Sequence, residues 1–550
     1  MLRRDDEALP LLSARSDAST SALSTASTAA TYNGHGRVGI SVAKVTPCSS
    51  STKSYRAPPS PFETGFPMVF TSPIPSPRPH RLSFAYEKHE HHRDLHVFFT
   101  LLMSVVGAGM LSVPYTFLLV PTWEAVLAII GVGVAMALTS TALLYAHVQL
   151  AKEEEAVMHI GAGRRFNSFQ SIAIVAGGDL FGYLVSVVTA VGIYGGCVGC
   201  IRIVKDIAPF MVSVLYTLGG GDAHALAATT GQYVANYLLW GAFLLVVFPL
   251  CLLRNLSGLR VSSYLGFAFS LYLVAAIIYR FYHQLDVENH ATPAPALDSN
   301  NSLPVMTAPA IVDTLAPPAS LATAVVGSSF SRLSQSVSIY NYAFMMQLNL
   351  IPLFIELRGS FADPLRTSQR KMTRCIFAVS AFCIALYAAF GIFAAKLYGD
   401  TIRGNILLNL ENDPVMEIPL VAVFLTVVLS FPLLFHPLRG VIEELIFTTS
   451  LLPELPFSTR LGTTSVLLLS QLFLAIWVPG IQVVFALTGA TSCLLICFVF
   501  PTMLFLRLYP WRKHGRRGSL AMLTLCAIVA FFTVVGLQAT WFLLIDIYRH

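Results

Sequence analysis

Two stretches of this chain carry residue types whose spacing suits the binding of a small charged group. The first reads Val105-Val106-Gly107-Ala108-Gly109-Met110-Leu111-Ser112-Val113-Pro114-Tyr115. Two glycines flank one alanine, a proline follows, and both residue types weaken a helix. A helix broken in lipid survives only where protein or a polar cavity satisfies the freed backbone groups. Such a break offers unpaired N–H groups and a positive dipole end, which suit a carboxylate. The same stretch also reads as a small-residue notch for packing against another helix. The second stretch runs from Tyr340 to Leu357. Asn341, Gln347 and Asn349 are polar there among apolar neighbours, and Pro352 is expected to interrupt the helix. Two interrupted segments at matching places in two halves point to inverted repeats with a site at the bilayer midplane.

Other chemistry is not signalled. The chain has no H-E-x-x-H, no G-x-S-x-G and no Walker loop. No paired carboxylates fall inside its apolar runs, so no catalytic residues, cofactor or metal are expected. No nucleic-acid partner is expected either. Cys197 and Cys200 form a C-x-x-C, but within Gly-Gly-Cys-Val-Gly-Cys on an apolar segment, where they read as packing residues. The other cysteines except Cys48 also lie in or beside apolar runs and do not read as a disulfide framework. His89, His91, His92 and His96 cluster before the first apolar run and read as a solvated polar segment.

The elements that position these groups follow from composition. Of 550 residues, 55% are hydrophobic and 12% charged, against about 25% charged in soluble domains. Mean hydropathy is +0.67. A soluble globular protein and a wholly disordered chain are both excluded. The apolar residues come in unbroken runs of about 20, the length of a transmembrane helix, without the alternation of a β-barrel. The expected fold is therefore all-α, a polytopic membrane protein of about 11 transmembrane helices. The expected spans are 96–120, 124–148, 179–201, 234–253, 261–282, 336–357, 375–397, 418–441, 463–478, 484–508 and 519–545.

Residues 1–94, rich in Ser, Thr, Ala and Pro, read as a disordered cytosolic tail. Residues 95–550 form the transmembrane domain. With the tail in the cytosol, all but seven of the 35 Lys and Arg residues fall on the cytosolic side. The exceptions are Arg202, Lys205, Arg280, Arg332, Lys396, Arg403 and Arg549. The C-terminus is then outside or luminal. So is the long loop over 283–330, where Asn300 is a glycosylation candidate.

Several stretches together resemble the amino acid/auxin permease family. The glycine-rich segment around Gly107 resembles the family's signature, and the segment around Asn341 resembles its F-x-F-x-x-H-x-x-x-L-P-x-x-x-E-L stretch. Pro249 to Leu256 with Leu259-Arg260 is similar as well. So are Tyr398-Gly399-Asp400 leading to Asn405-Ile406-Leu407-Leu408-Asn409-Leu410, Leu429-Ser430-Phe431-Pro432 with Pro437-Leu438-Arg439, and Leu487 to Ser492. The resemblance runs from about His96 to the end, in the family's order. The long tail and Gly-rich core resemble the kinetoplastid amino acid permeases in particular.

The resemblance implies a leucine-transporter-like 5+5 inverted repeat with discontinuous helices 1 and 6, and secondary transport of amino acids by alternating access. Carried over by position, Gly107, Ala108 and Gly109, followed by Met110, would present backbone groups to the substrate carboxylate. Tyr340, Asn341, Phe344 and Gln347 would line the region of the amine and side chain, and Tyr194 would cap the pocket. Thr426 and Ser430, one turn apart, would face an ion or substrate, or else join helices.

Two positions depart from the family's sodium-coupled members. Met103 stands where they commonly carry Asn, and Gln347 where they commonly carry His. Methionine offers no hard oxygen to sodium, so proton coupling or facilitated diffusion is favoured. The charges in the expected spans are Glu124, Asp179, Arg280, Glu356, Lys396, Arg439 and Arg507, all near span ends. Deep charges are usually kept for function, and their lack favours neutral substrates. Glu356 reads as a proton carrier or as half of an ion pair.

Glu7, Leu11 and Leu12 match an acidic dileucine sorting pattern, which would send the chain to an endosomal or lysosome-like membrane rather than the plasma membrane. The alternative reading of the whole chain is an amino-acid-sensing receptor on the same fold. A channel fits paired broken helices less well. The expected partners are an amino acid, a coupling proton and membrane lipid.

Overall fold

The computed structural model describes residues 94–158, 169–218, 231–252, 260–290, 328–358, 364–410, 417–446 and 456–549. The expectations for the tail, the dileucine residues Glu7, Leu11 and Leu12, Cys48, His89, His91, His92 and Asn300 lie outside them. Every regular element among the described residues is helical.

The helices follow the hydropathy of the sequence. They are α1 Asp94–Val105, α2 Val113–Leu119, α3 Thr122–Met158, α4 Phe169–Gly177 and α5 Asp179–Leu218. Then come α6 Gly231–Leu252, α7 Arg260–His290, α8 Ser329–Ala343, α9 Gln347–Arg358, α10 Leu365–Tyr398 and the single turn α11 Leu407–Leu410. The last four are α12 Glu417–Ile446, α13 Phe457–Trp477, α14 Ile481–Leu508 and α15 Gly515–Arg549. Among the described residues, eight helices are long and apolar enough to cross a bilayer, or nine with the bent first pair. The α6 helix and the α8–α9 pair stand where the fourth and sixth spans were expected.

Burial sorts these helices into inner and outer sets. The apolar window of α14 is 78% buried and that of α5 67%, against 22% for α13 and α15. The inner helices meet along a row of glycines on α5. A Cβ at Gly199 would collide with the Phe485 ring, one at Gly195 with Thr488, and one at Gly196 with the Tyr342 hydroxyl. Small residues let helix backbones approach where dispersion is the main attraction between them. Cys197 and Cys200, on the same helix, are free and buried. α14 is irregular at this contact, with π-helical turns over Gly489–Cys493 and Leu495–Val499, a form frequent at functional sites.

Several boundaries differ from expectation. α5 continues to Leu218 through Pro209, well past the expected end at Ile201. It carries Arg202 and Asp206 with it as an ion pair at i,i+4, N–O 3.1 Å. Mutual neutralisation lets the helix continue through both charges; at 40 residues, about 60 Å, α5 is longer than the hydrocarbon core requires. α13 begins at Phe457, six residues before the expected start of the ninth span. α4 was not anticipated; Gly178, at φ 82°, turns the chain from α4 into α5, a conformation suited to glycine.

Candidate functional site

Both expected breaks exist, and the prolines do not make them. In the first span α1 ends at Val105, the chain passes through Val106 and Gly107, and a 3-10 turn covers Ala108–Ser112. Pro114 sits in the first turn of α2, where its missing N–H costs nothing. The two parts of the span meet at 41°. In the sixth span α8 ends at Ala343, and α9 begins at Gln347 with Pro352 in its interior. The break lies over Phe344, Met345 and Met346, upstream of the proline expected to cause it.

The two breaks touch. A Cβ at Gly109 would stand 2.9 Å from Tyr342 Cδ1 and 3.0 Å from Ala343 Cα. Gly107 has extended backbone at φ −139° and ψ −155°. It is exposed, and open space lies where its side chain would be. Ala108 is half-buried and Met110 buried. The first N–H groups of a helical turn have no acceptor within it; here the Met110 N–H bonds the Gly107 carbonyl at 3.1 Å.

Around the second break most polar groups are already engaged. Gln347 is fully buried. Its Oε1 accepts from the N–H of Met346 at 3.1 Å. Its Nε2 lies 3.4 Å from Met136 Sδ, 3.5 Å from Thr139 Oγ1 and 3.4 Å from the Cys497 carbonyl. It therefore ties α9 to α3 and α14. The Thr116 hydroxyl donates to the Val113 carbonyl at 2.6 Å, leaving the Tyr340 hydroxyl to donate to Thr116 Oγ1 at 2.5 Å and clasp α8 to α2. Phe344 is buried edge-on against Tyr387, with ring centroids 5.0 Å apart.

Asn341 differs from these. Its side chain is fully buried, and neither Oδ1 nor Nδ2 has a hydrogen-bond partner. A buried amide left unmatched costs about 1–3 kcal/mol; Gln471 on α13 is also fully buried with both amide atoms unpartnered. Ser112, at the end of the 3-10 turn, is likewise buried with its hydroxyl unpartnered.

The remaining candidates lie elsewhere. The Tyr194 hydroxyl donates to Ser470 Oγ on α13 at 2.9 Å. Thr426 donates to the carbonyl one turn back, at Ala422, and its methyl packs where a Cβ at Gly266 would go. Ser430 is half-buried on the same helix. Glu356 is exposed and lies 3.2 Å from His96 Nδ1.

Three further features were not singled out from sequence. Tyr342 stacks on Phe485, with centroids 4.3 Å apart, and its type and place beside Asn341 were the available signal. The Tyr387 hydroxyl donates to the carbonyls of Val105 and Ala343, each at 3.1 Å; nothing local in its sequence marks this. The third is a cluster on α5. Asn405 Nδ2 donates to Asp206 Oδ2 at 3.2 Å. Arg202 and Lys205 donate to the carbonyls of Pro479 and Ile476 at the end of α13, at 3.1 and 3.2 Å. Cations at a helix C-terminus complement its dipole. Next to Asn405, the N–H of Ile406 bonds the Leu111 carbonyl at 3.3 Å, so this loop joins α5 to the 3-10 turn of the first span.

Comparison with known proteins adds the family. The profile described as "Transmembrane amino acid transporter protein" matches residues 95–543. The amino acid transporter AVT6C of Arabidopsis thaliana is 26% identical over 456 residues, covering 79% of this chain and 90% of that protein. AVT6E of the same plant is 30% identical over 213 residues, which span 36% of this chain and 42% of the relative's length. Among solved structures, a manganese transporter from Eremococcus coleocola aligns with a TM-score of 0.42 at 13% identity, covering 86% of this chain and 97% of that one.

Proposed function

The chain belongs to the transmembrane amino acid transporter family, and from that premise we propose that it carries neutral amino acids by alternating access, with the zwitterion held between the two helix breaks. It acts as a carrier and catalyses no covalent step. Three observations carry this reading: Gly107 is open at one break, Asn341 is buried and unpartnered just before the other, and the two breaks touch at Gly109 and Ala343. Backbone N–H groups at Gly107, Ala108 and Gly109 receive the carboxylate, as helix N-termini do. Asn341 completes the polar end of the substrate, and Tyr342 and Phe344 border its side chain.

Transport is proton-coupled or facilitative. Met103 supplies no oxygen ligand, and Gln347 is committed to joining α9, α3 and α14. Glu356 is spent on His96 at 3.2 Å and serves as a tether. Basic-residue placement supports a cytosolic N-terminus, which sets Asn405 and the end of α13 on the outer or luminal face.

Purified protein in liposomes, given a panel of labelled amino acids under imposed pH or sodium gradients, tests this. Uptake of small neutral amino acids that is unchanged on replacing sodium is expected. Saturable binding without flux would sink the carrier reading, and exclusive uptake of arginine would sink the neutral-substrate reading.

A further inference from the structure

Two half-helices end at the same point in this molecule. Val105 is the last residue of α1 and Ala343 the last of α8. In unbroken helices their carbonyls would accept from Gly109 and Gln347, four residues on. The breaks free both oxygens, and each lies at a helix C-terminus, where the dipole adds negative potential. Converging carbonyls at half-helix ends are a donor set for a hard cation, and discontinuous helices use such ends to hold sodium or protons.

Here the point of convergence is filled by protein. Tyr387 reaches in from α10, fully buried, and its hydroxyl lies 3.1 Å from each oxygen. Its ring is fixed edge-on by Phe344, which itself belongs to the second break. The phenol carries no charge, cannot dissociate from the chain, and supplies one hydrogen shared between two acceptors.

We propose that the Tyr387 hydroxyl occupies the position of a coupling cation, so that a fixed neutral donor holds the two half-helix ends together and this chain transports without sodium. The inference rests on the reading of the breaks as the substrate site. It adds a residue, outside the family-signature stretches, that determines ion selectivity. It also gives a physical reason for Met103: with the convergence point satisfied from α10, no side-chain oxygen is needed from α1.

The test compares wild type, Tyr387→Phe and Tyr387→Asn in liposomes at fixed pH gradient, with sodium replaced by choline, alongside binding of radioactive sodium to the purified proteins. Wild type is expected to bind no sodium and to transport equally in both salts. Tyr387→Phe keeps the ring and removes the donor, and uptake should fall about tenfold, equivalent to about 1.4 kcal/mol. Tyr387→Asn opens the position and adds an oxygen, and should gain saturable sodium binding and sodium-stimulated uptake. Sodium-dependent uptake by wild type would overturn the proposal. So would a folded Tyr387→Asn that binds no sodium. If Tyr387→Asn does not fold, the wild-type and Tyr387→Phe arms decide. If no amino acid moves under any gradient, the carrier reading fails, and sodium binding still decides the role of Tyr387.

Discussion

At the first break Gly107 is exposed and extended, with open space in place of a side chain, and Tyr387 meets only the Val105 carbonyl, whereas at the second break Gln347, Tyr340 and Tyr387 bring in polar groups from three helices. The first interrupts its helix over Val106 and Gly107 and the second over Phe344–Met346, and both must satisfy freed backbone groups. The first leaves its N–H groups open to a ligand. The second is closed by side chains, except at Asn341. On the proposed reading the barer break binds and the filled break positions, a distinction that the resemblance of the two segments does not make.

Three substitutions break or sharpen that contrast. Gly109→Ala should have the largest effect. Its new methyl would meet Ala343 Cα at 3.0 Å and the Tyr342 ring at 2.9 Å, and backbone cannot give way as a side-chain tip can. Overpacking of this kind costs about 1–3 kcal/mol, and uptake should be abolished with a lowered melting temperature. Retained uptake would show that the breaks do not need to touch. Asn341→Ala should separate binding from folding. Removing an unmatched buried amide relieves its cost, so thermal stability without substrate should hold or rise. KM should rise about tenfold, the loss of about 1.4 kcal/mol of binding. Loss of stability with unchanged KM would make Asn341 a structural residue. Gly107→Ala should be mildest, since its backbone suits any residue and nothing stands within 4 Å. Stability should not change, and KM should rise about threefold, near 0.6 kcal/mol. A large loss of stability there would mean that the first break is as filled as the second.

The helices themselves were legible because apolar runs of bilayer length leave little choice of structure. The first break was legible for a similar reason, since Gly107 and Gly109 act through their own backbone. The second was placed at Pro352 and found at Phe344–Met346, because what holds it open comes from elsewhere. Tyr387 lies 44 residues from Ala343 and 282 from Val105 in sequence, and no local pattern announces such a partner. Gln347 was expected to line the site, and its amide is engaged by four protein groups. Asp206 was missed because hydropathy ends a span at the first charge, while an i,i+4 partner lets the helix continue. Side chains that serve the backbone of another helix carry no periodic signal.

The start of α1 is held by Lys371 to Asp94 at 2.9 Å and by Glu356 to His96 at 3.2 Å, a pair whose side chains are 40% and 46% exposed. Arg202 and Asp206, which connect through the Asn405–Ile406 loop to the 3-10 turn of the first span, are 14% and 8% exposed. Exposed pairs are worth about 0–1 kcal/mol and weaken with salt. Their side chains exchange partners in about picoseconds to nanoseconds, far faster than the microsecond-to-millisecond motions of packed helices. If α1 moves in the proposed alternating access, tethers this weak would offer it little resistance.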